Sequence, residues 1–294
     1  MNTTRNLVDL ARRAAAPMAA ALAMALLPVA EVRAAAESPS PLIRPYTLTF
    51  GSYFTAVDTD VSAEEDLENR GTRIDFESNL DFAAREELFR LEGQFLIKPR
   101  HQINFGYYEL SRSASDILTR EIEWRGQVFP VDAEVSGFFN TDVVELSYTW
   151  WWIANDTWVL GLNGGLQKIG LDIGVDLATA NSGRGVGTDV AVDELVPLIG
   201  MEARRRITDQ MMFRGVVRHI RWSDLGDLSK VALTDLSVGF EHQTFERLGI
   251  GLAFKLLSFD LDVEKRFISG EADYSISGVE FFFRYGFGGG SATP

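Results

Sequence analysis

Gly278-Val-Glu-Phe-Phe-Phe-Arg-Tyr-Gly-Phe287 puts Val279, Phe281, Phe283, Tyr285 and Phe287 on alternate positions, with Glu280, Phe282, Arg284 and Gly286 between them. Successive side chains of a strand point to opposite faces of its sheet. This spacing therefore predicts a strand with one aromatic face and one charged or small face. The design recurs along the chain. Phe89, Leu91, Gly93, Phe95 and Ile97 alternate with Arg90, Glu92, Gln94 and Leu96. Leu248, Ile250, Leu252, Phe254 and Leu256 stand against Gly249, Gly251, Ala253 and Lys255, and Leu236, Val238 and Phe240 against Asp235, Ser237, Gly239 and Glu241. Tyr46, Leu48, Phe50 and Phe54 oppose Thr47, Thr49, Gly51 and Thr55, while Val144, Leu146, Tyr148, Trp150 and Trp152 oppose Glu145, Ser147, Thr149 and Trp151. Weaker members surround Ile103 to Tyr107, Trp158 to Leu166 and Leu195 to Met201. In the segment 210–222, Arg214 and Arg218 share one face and His219 and Arg221 the other, so its lower half is expected inside a membrane and its upper half above it.

Short polar connections at Lys98-Pro99-Arg100, Ala154-Asn155-Asp156, Thr208-Asp209 and Glu246-Arg247 join these segments as hairpin turns. Long acidic or Gly/Ser/Asn-bearing stretches separate the hairpins, at 58–87, 115–137, 176–191, 223–230 and 263–272. Ten strands result, near 45–57, 88–97, 101–114, 139–153, 157–174, 192–206, 210–222, 231–244, 247–262 and 273–287. Short turns at one end, long loops at the other and an even strand number are the marks of a transmembrane antiparallel up-and-down β-barrel. Twelve strands is the alternative, if 72–82 and 122–135 supply a further pair, and eight would discard good segments.

No stretch after Ala36 is long and uncharged enough for a transmembrane helix, so strands must do the crossing. A soluble sandwich also alternates, but its apolar faces would meet one another and its charges would meet water. Here the aromatic faces are nearly uninterrupted and would form an aggregation surface in water. Lipid removes that objection. The other face carries Arg90, Glu92, Glu145, Glu194, Glu202, Arg204, Arg214, Arg218, Asp235, Glu241, Lys255, Glu280 and Arg284, which inside a closed barrel would form a network of paired charges. Tyr46, Trp150, Trp152, Trp158, Phe245, Tyr285 and Phe287 fall near the short turns or chain ends, the place of an aromatic girdle at the headgroup level.

At the other end of the chain, Arg5, Arg12 and Arg13 precede an alanine-rich apolar run ending in Val32-Arg33-Ala34-Ala35-Ala36, the layout of a cleaved signal peptide over 1–36. Residues 37–44, with Ser38-Pro39-Ser40-Pro41, read as a short extended lead-in, 45–287 as the barrel and 288–294 as a C-terminal extension. The chain carries a net charge of -14, and removal of 1–36 takes away four arginines and only two acids. A chain this acidic, with no basic cluster beyond Arg204 to Arg206, is not built to neutralise phosphates, so nucleic acid is excluded as a partner. Its lack of cysteine excludes disulfides, thiol nucleophiles and Cys-ligated metals, and three histidines leave little imidazole for metal binding. No cofactor is expected.

Phe89-Arg-Leu-Glu-Gly-Gln-Phe95 with its turn through Arg100, and the final strand Gly278 to Phe287, resemble small Gram-negative outer-membrane barrels of the OmpA/OmpX-like group, over residues 45 to 287. The resemblance implies the cell outer membrane as location, outer-membrane lipid and lipopolysaccharide as surroundings, and the barrel-assembly machinery as the partner that reads the last strand. A monomer is expected.

Candidate chemistry is sparse. His219 with Ser223 and Asp224 is the one arrangement that a lipid esterase could use, but Ser and His lack the i, i+2 spacing that shares a strand face. Asp224, Asp227, Asp260 and Asp262 could supply the paired acids of a barrel protease, and nothing marks them as catalytic. His101 and His242 lie near turns. The run Asp58, Asp60, Glu64, Glu65, Asp66 and Glu68 lacks the ligand order of a calcium loop and reads as a solvated surface loop. Gly183-Arg184-Gly185-Val186-Gly187 has no following helix and is no nucleotide loop. The expectation is a non-catalytic outer-membrane barrel with a largely plugged, charged interior and acidic extracellular loops, in a structural or surface-interaction role. A narrow channel for small solutes is the alternative, then a lipid- or peptide-hydrolysing barrel.

Overall fold

The computed structural model describes residues 39–64, 74–75, 85–117, 121–124, 127–132, 134–178, 185–225, 228–265 and 268–287. The expected signal peptide, the C-terminal extension, Glu65, Asp66, Glu68, Gly183 and Arg184 lie outside these residues. The strands are β1 (Tyr46–Glu64), β2 (Ile74–Asp75), β3 (Arg85–Lys98), β4 (His101–Ile117), β5 (Ile122–Trp124), β6 (Gln127–Phe129), β7 (Glu134–Ala154), β8 (Trp158–Ala178), β9 (Gly185–Arg206), β10 (Met211–Leu225), β11 (Leu228–Gln243), β12 (Leu248–Lys265) and β13 (Ile268–Phe287). Ten of them, β1, β3, β4 and β7 to β13, pair antiparallel in sequence order, and β13 closes on β1 from Tyr46↔Phe287 to Glu64↔Ser269. Closure pairs the first strand with the last, the two edges that an open sheet would leave bare in lipid.

Among the described residues neither stretch that would raise the count adds a strand spanning the barrel wall, and Glu134 and Val135 of the second already belong to β7. Ile74 and Asp75 pair briefly with the upper part of β1, and β5 and β6 form a separate hairpin.

Each short turn has its own chemistry. In the β3–β4 turn, Pro99 is followed by Arg100 at φ 71°, the sequence of dihedrals that a proline-led tight turn needs. The Asn155 Oδ1 accepts from the Thr157 and Trp158 amides, both at 2.9 Å, and the Thr208 Oγ1 from the Gln210 and Met211 amides at 3.3 and 3.0 Å. These side chains take up amides that no strand reaches.

The strands run taller than their alternation alone suggests. β9 has 22 residues and β7 and β8 21 each, whereas crossing a bilayer takes about 9–11 tilted residues. Much of 58–64, 176–178, 185–191, 223–225, 228–230 and 263–272, expected as loops, is therefore strand. Cross-strand hydrogen bonds do not require lipid, so the ladders continue into water once the apolar belt ends. Asp58, Asp60 and Glu64 accordingly belong to β1.

That belt is on the outer face. Phe50, Phe54, Phe89, Leu146, Trp150, Leu162, Leu166, Leu195, Ile199, Phe240, Leu252, Phe254, Phe281 and Phe283 are all exposed. Going away from the short turns, the outward positions change to Asp58, Glu109, Asp142, Lys168, Asp193, His219, Thr234, Ser258 and Ser277. A polar edge on strand after strand places one membrane boundary.

Candidate functional site

Four zones fill the barrel interior. At the end carrying the short turns, Leu42 and Ile43 of the lead-in fold into the mouth and pack with Leu96, Trp151 and Val159, with Ala154 and Met212 beside them. The segment is held by the Ser40 Oγ donating to the Asn155 carbonyl (2.7 Å), by Arg204 Nη1 donating to the Leu42 carbonyl (2.9 Å), and by Arg44 donating to Gln243. The Leu96 amide donates to the Pro45 carbonyl (2.7 Å), which carries the chain from this tuck into β1. The Arg204 guanidinium also lies 4.7 Å from the Trp151 ring, and Trp151 Nε1 donates to Gln102. The lead-in is thus a tucked cap rather than an extended tail. The apolar pair Leu42-Ile43 between two prolines is its sequence signal.

Above the cap lies a layer of amides and hydroxyls. Asn104 and Asn163, from strands on either side of β7, each donate to the Thr149 Oγ1 at 2.9 Å and to the Ser147 Oγ at 3.2 Å.

The charged belt comes next. Arg214 of β10 reaches Glu202 (2.7 Å) and, across the lumen, Glu92 of β3 (3.0 Å). Glu202 also binds Arg204 (2.8 Å), and Glu92 binds Arg90 (3.4 Å) and accepts from Gln94 (2.6 Å). Glu280 meets Lys255 (2.8 Å) and Arg90 (3.8 Å). Glu241 meets Arg284 (2.5 Å), whose Nε donates to Thr49 (3.0 Å). Arg218 bridges Glu145 of β7 (2.8 Å) and Asp235 of β11 (3.0 Å). Six cations thus meet six carboxylates, and every one of the twelve has an opposite charge within reach. Charges withdrawn from water need such matching, because an unpaired one costs several kcal/mol. Glu194 is elsewhere: it lies on the inward side of β9 opposite Ile169, above the belt. A cavity of about 20 Å³ bordered by Glu92, Arg214, Glu241, Lys255, Glu280 and Arg284 leaves room for one water.

The top zone is apolar, where the alternation predicts only charged and polar inward residues. Tyr53, Leu88, Leu110, Phe139, Val143, Ile169, Val196, Leu198, Leu233, Phe259, Tyr274 and Ile276 are buried on inward positions. The Tyr274 ring of β13 contacts the Phe139 ring of β7 at 4.8 Å and the Phe259 ring at 6.3 Å. β1, β3 and β4 separate β13 from β7 around the wall, so the contact spans the lumen. The Tyr53 hydroxyl donates to the Lys255 carbonyl (2.9 Å), tying this zone to the belt below. Inward apolar residues have the same alternation as outward ones, which is why the pattern hid them.

The girdle candidates Tyr46, Trp150, Trp152, Trp158, Tyr285 and Phe287 sit on outward positions near the short turns, and Phe245 lies in a turn, 66% exposed. Arg205 lies 4.9 Å from the Trp158 ring on the same face. The three histidines also face outward. His101 contacts the Tyr148 hydroxyl, His219 the Thr234 hydroxyl (3.0 Å) and His242 the Thr244 hydroxyl (3.4 Å). No imidazole therefore points into the lumen. Asp260 is outward and exposed, and Asp227 lies outside the described residues.

A closed antiparallel cylinder with an apolar belt outside and matched charges inside is an outer-membrane β-barrel. Among solved structures the fold is similar to that of the outer membrane protease OmpT from Escherichia coli, at 10% identity over 83% of this chain and 97% of that one, with a TM-score of 0.54. Weaker likenesses are the translocator domain of the autotransporter NalP from Neisseria meningitidis (10% identity, 92% and 99% of the two chains, TM-score 0.37) and Ail, the attachment invasion locus protein of Yersinia pestis (7%, 82% and 99%, 0.29). No family model and no curated protein matches the chain.

Proposed function

We propose that this chain is a monomeric, non-catalytic outer-membrane barrel whose interior is closed to solutes, and whose tall acidic upper wall acts as a structural or surface-interaction element. The observation that carries the reading is the cross-lumen bonding of Arg214 to Glu92 beneath the cross-lumen contact of Phe139 with Tyr274. A solute crossing the barrel would have to part a charge pair and an aromatic contact in series. The outward Asp58, Asp142, Asp193 and Asp260 give the upper wall its acidic exterior. Lipid and lipopolysaccharide surround the belt, and the barrel-assembly machinery receives the Gly278 to Phe287 strand.

A hydrolytic role has no imidazole support, since all three histidines face away from the lumen. A channel role would need the belt to open. Planar-bilayer recordings of the refolded chain test the closed lumen: the expected trace shows no discrete conductance, and reproducible steps overturn the closure. Turnover of lipid esters or peptides by the same preparation, absent from a preparation unfolded by boiling, overturns the non-catalytic reading.

A further inference from the structure

The barrel wall is split on its upper side between β9 and β10. Among the described residues the two strands pair only over 200–206 and 212–218. Above that level β9 stays paired with β8 and β10 with β11. Continuing the register would put His219 opposite Ile199 and Arg221 opposite Pro197. The Arg206 amide donates to the Thr157 carbonyl, on the β8 side, so alternate residues of β9 counted from Arg205 direct their amides toward β10. Pro197 falls in that set and has no amide hydrogen to give. The ladder ends at Gly200↔Arg218, one rung short of Pro197, and proline denies β9 the next donor toward β10 beyond Ile199, so the seam runs beside a position that cannot donate.

The lips of the seam differ chemically. On β9 the outward residues are Leu195 (52% exposed), Pro197 and Ile199 (64% exposed). On β10 they are His219 and Arg221, both exposed. Val196 and Leu198 are buried behind the seam, so it is a groove in the outer wall and not a hole through it. The outward polar positions around the rest of the wall include Asp58, Glu109, Asp142, Asp260 and Asp273, and the neighbouring Lys168 is taken up by Asp193 at 2.7 Å. β3 and β4 also part above Arg90↔Tyr108, but the lip there bears Glu109. An apolar edge facing a cationic edge at the membrane boundary, on a wall whose other outward polar positions are mostly acidic or neutral, matches an anionic amphiphile.

We propose that the β9–β10 seam binds one phosphate-bearing lipid of the surrounding leaflet, with its phosphate at Arg221 and His219 beside Pro197 and an acyl chain running from there over Ile199 and Met201 toward the belt. The site depends on the membrane placement of the barrel and not on closure of the lumen, so a conductance result leaves it standing. The test is native mass spectrometry of the full chain, refolded in neutral detergent and titrated with phosphatidylglycerol or phosphatidylcholine. The expected result is a single retained lipid, with phosphatidylglycerol favoured by about tenfold or more through its charge-assisted contacts. Arg221→Gln should bring phosphatidylglycerol down to the phosphatidylcholine level. Pro197→Val, which restores a backbone donor, should close the groove and remove retention of both lipids, with heat-modifiable gel migration reporting that the barrel still folds. Arg221→Gln changes an exposed side chain and decides the matter alone if the proline variant does not fold. Equal retention of the two lipids, retention unchanged in Arg221→Gln, or a protein dimer in place of the lipid adduct overturns the proposal.

Discussion

Replacing Arg214 by alanine removes the cation that joins opposite walls of the barrel. Its guanidinium holds Glu202 at 2.7 Å and Glu92 at 3.0 Å from a side chain only 17% exposed. After the change, Glu202 keeps Arg204 at 2.8 Å, and Glu92 keeps Arg90 at 3.4 Å together with Gln94. The two carboxylates are therefore under-neutralised and not bare. The loss should sit near the lower end of the range for breaking a buried pair, about 3 kcal/mol. Lys168→Ala is the control, because that pair with Asp193 is outward, with side chains 51% and 65% exposed, and should cost about 0–1 kcal/mol. Adding Glu92→Ala to Arg214→Ala should cost less than the two single changes together, with a coupling of about 0.5–3 kcal/mol. The assay is urea-dependent folding into lipid vesicles, read by tryptophan fluorescence and by heat-modifiable gel migration. If Arg214→Ala costs no more than Lys168→Ala, the belt charges are hydrated like surface charges and the sealed-interior reasoning fails.

In the same vesicle assay, Phe283→Arg, midway along the outward row of the last strand, should cost about 2–4 kcal/mol, and Phe245→Arg in the exposed turn about 0–1 kcal/mol. Equal costs would refute the placement of the belt. Ile43→Ala should lose about 2–5 kcal/mol, since Ile43 is 1% exposed in the cap, and added protease should then cut within 39–44 faster than in the unchanged chain. Tyr53→Phe removes the donor to the Lys255 carbonyl and should cost about 0.5–1.5 kcal/mol, measured by the same urea titration.

Much of the molecule is legible in one dimension. A period of two is a property of the extended backbone, so the rows Phe281, Phe283, Tyr285 and Glu280, Arg284 could be sorted to opposite faces from spacing alone, and the short turns then set the order and number of strands. Hydrophobicity next decides which face meets lipid. Less could be read of the interior. Phe139 and Val143 follow the same alternation as any outward pair, and the pattern does not say which apolar row turns inward once a strand has left the membrane.

The pairing of Glu92 with Arg214, the meeting of Phe139 with Tyr274 and the tuck of Leu42 and Ile43 of the lead-in under Trp151 all join segments that are not neighbours in the wall. Their heights around the cylinder are set by the accumulated stagger of the strands on closing, which no local window contains. The split beside Pro197 lies between the two cases. The missing amide is written in the chain, but only the register shows that it faces β10 and leaves an edge unpaired. Alternation is local chemistry and belongs to the sequence, whereas contact across a closed lumen is geometry and arises when the last strand meets the first.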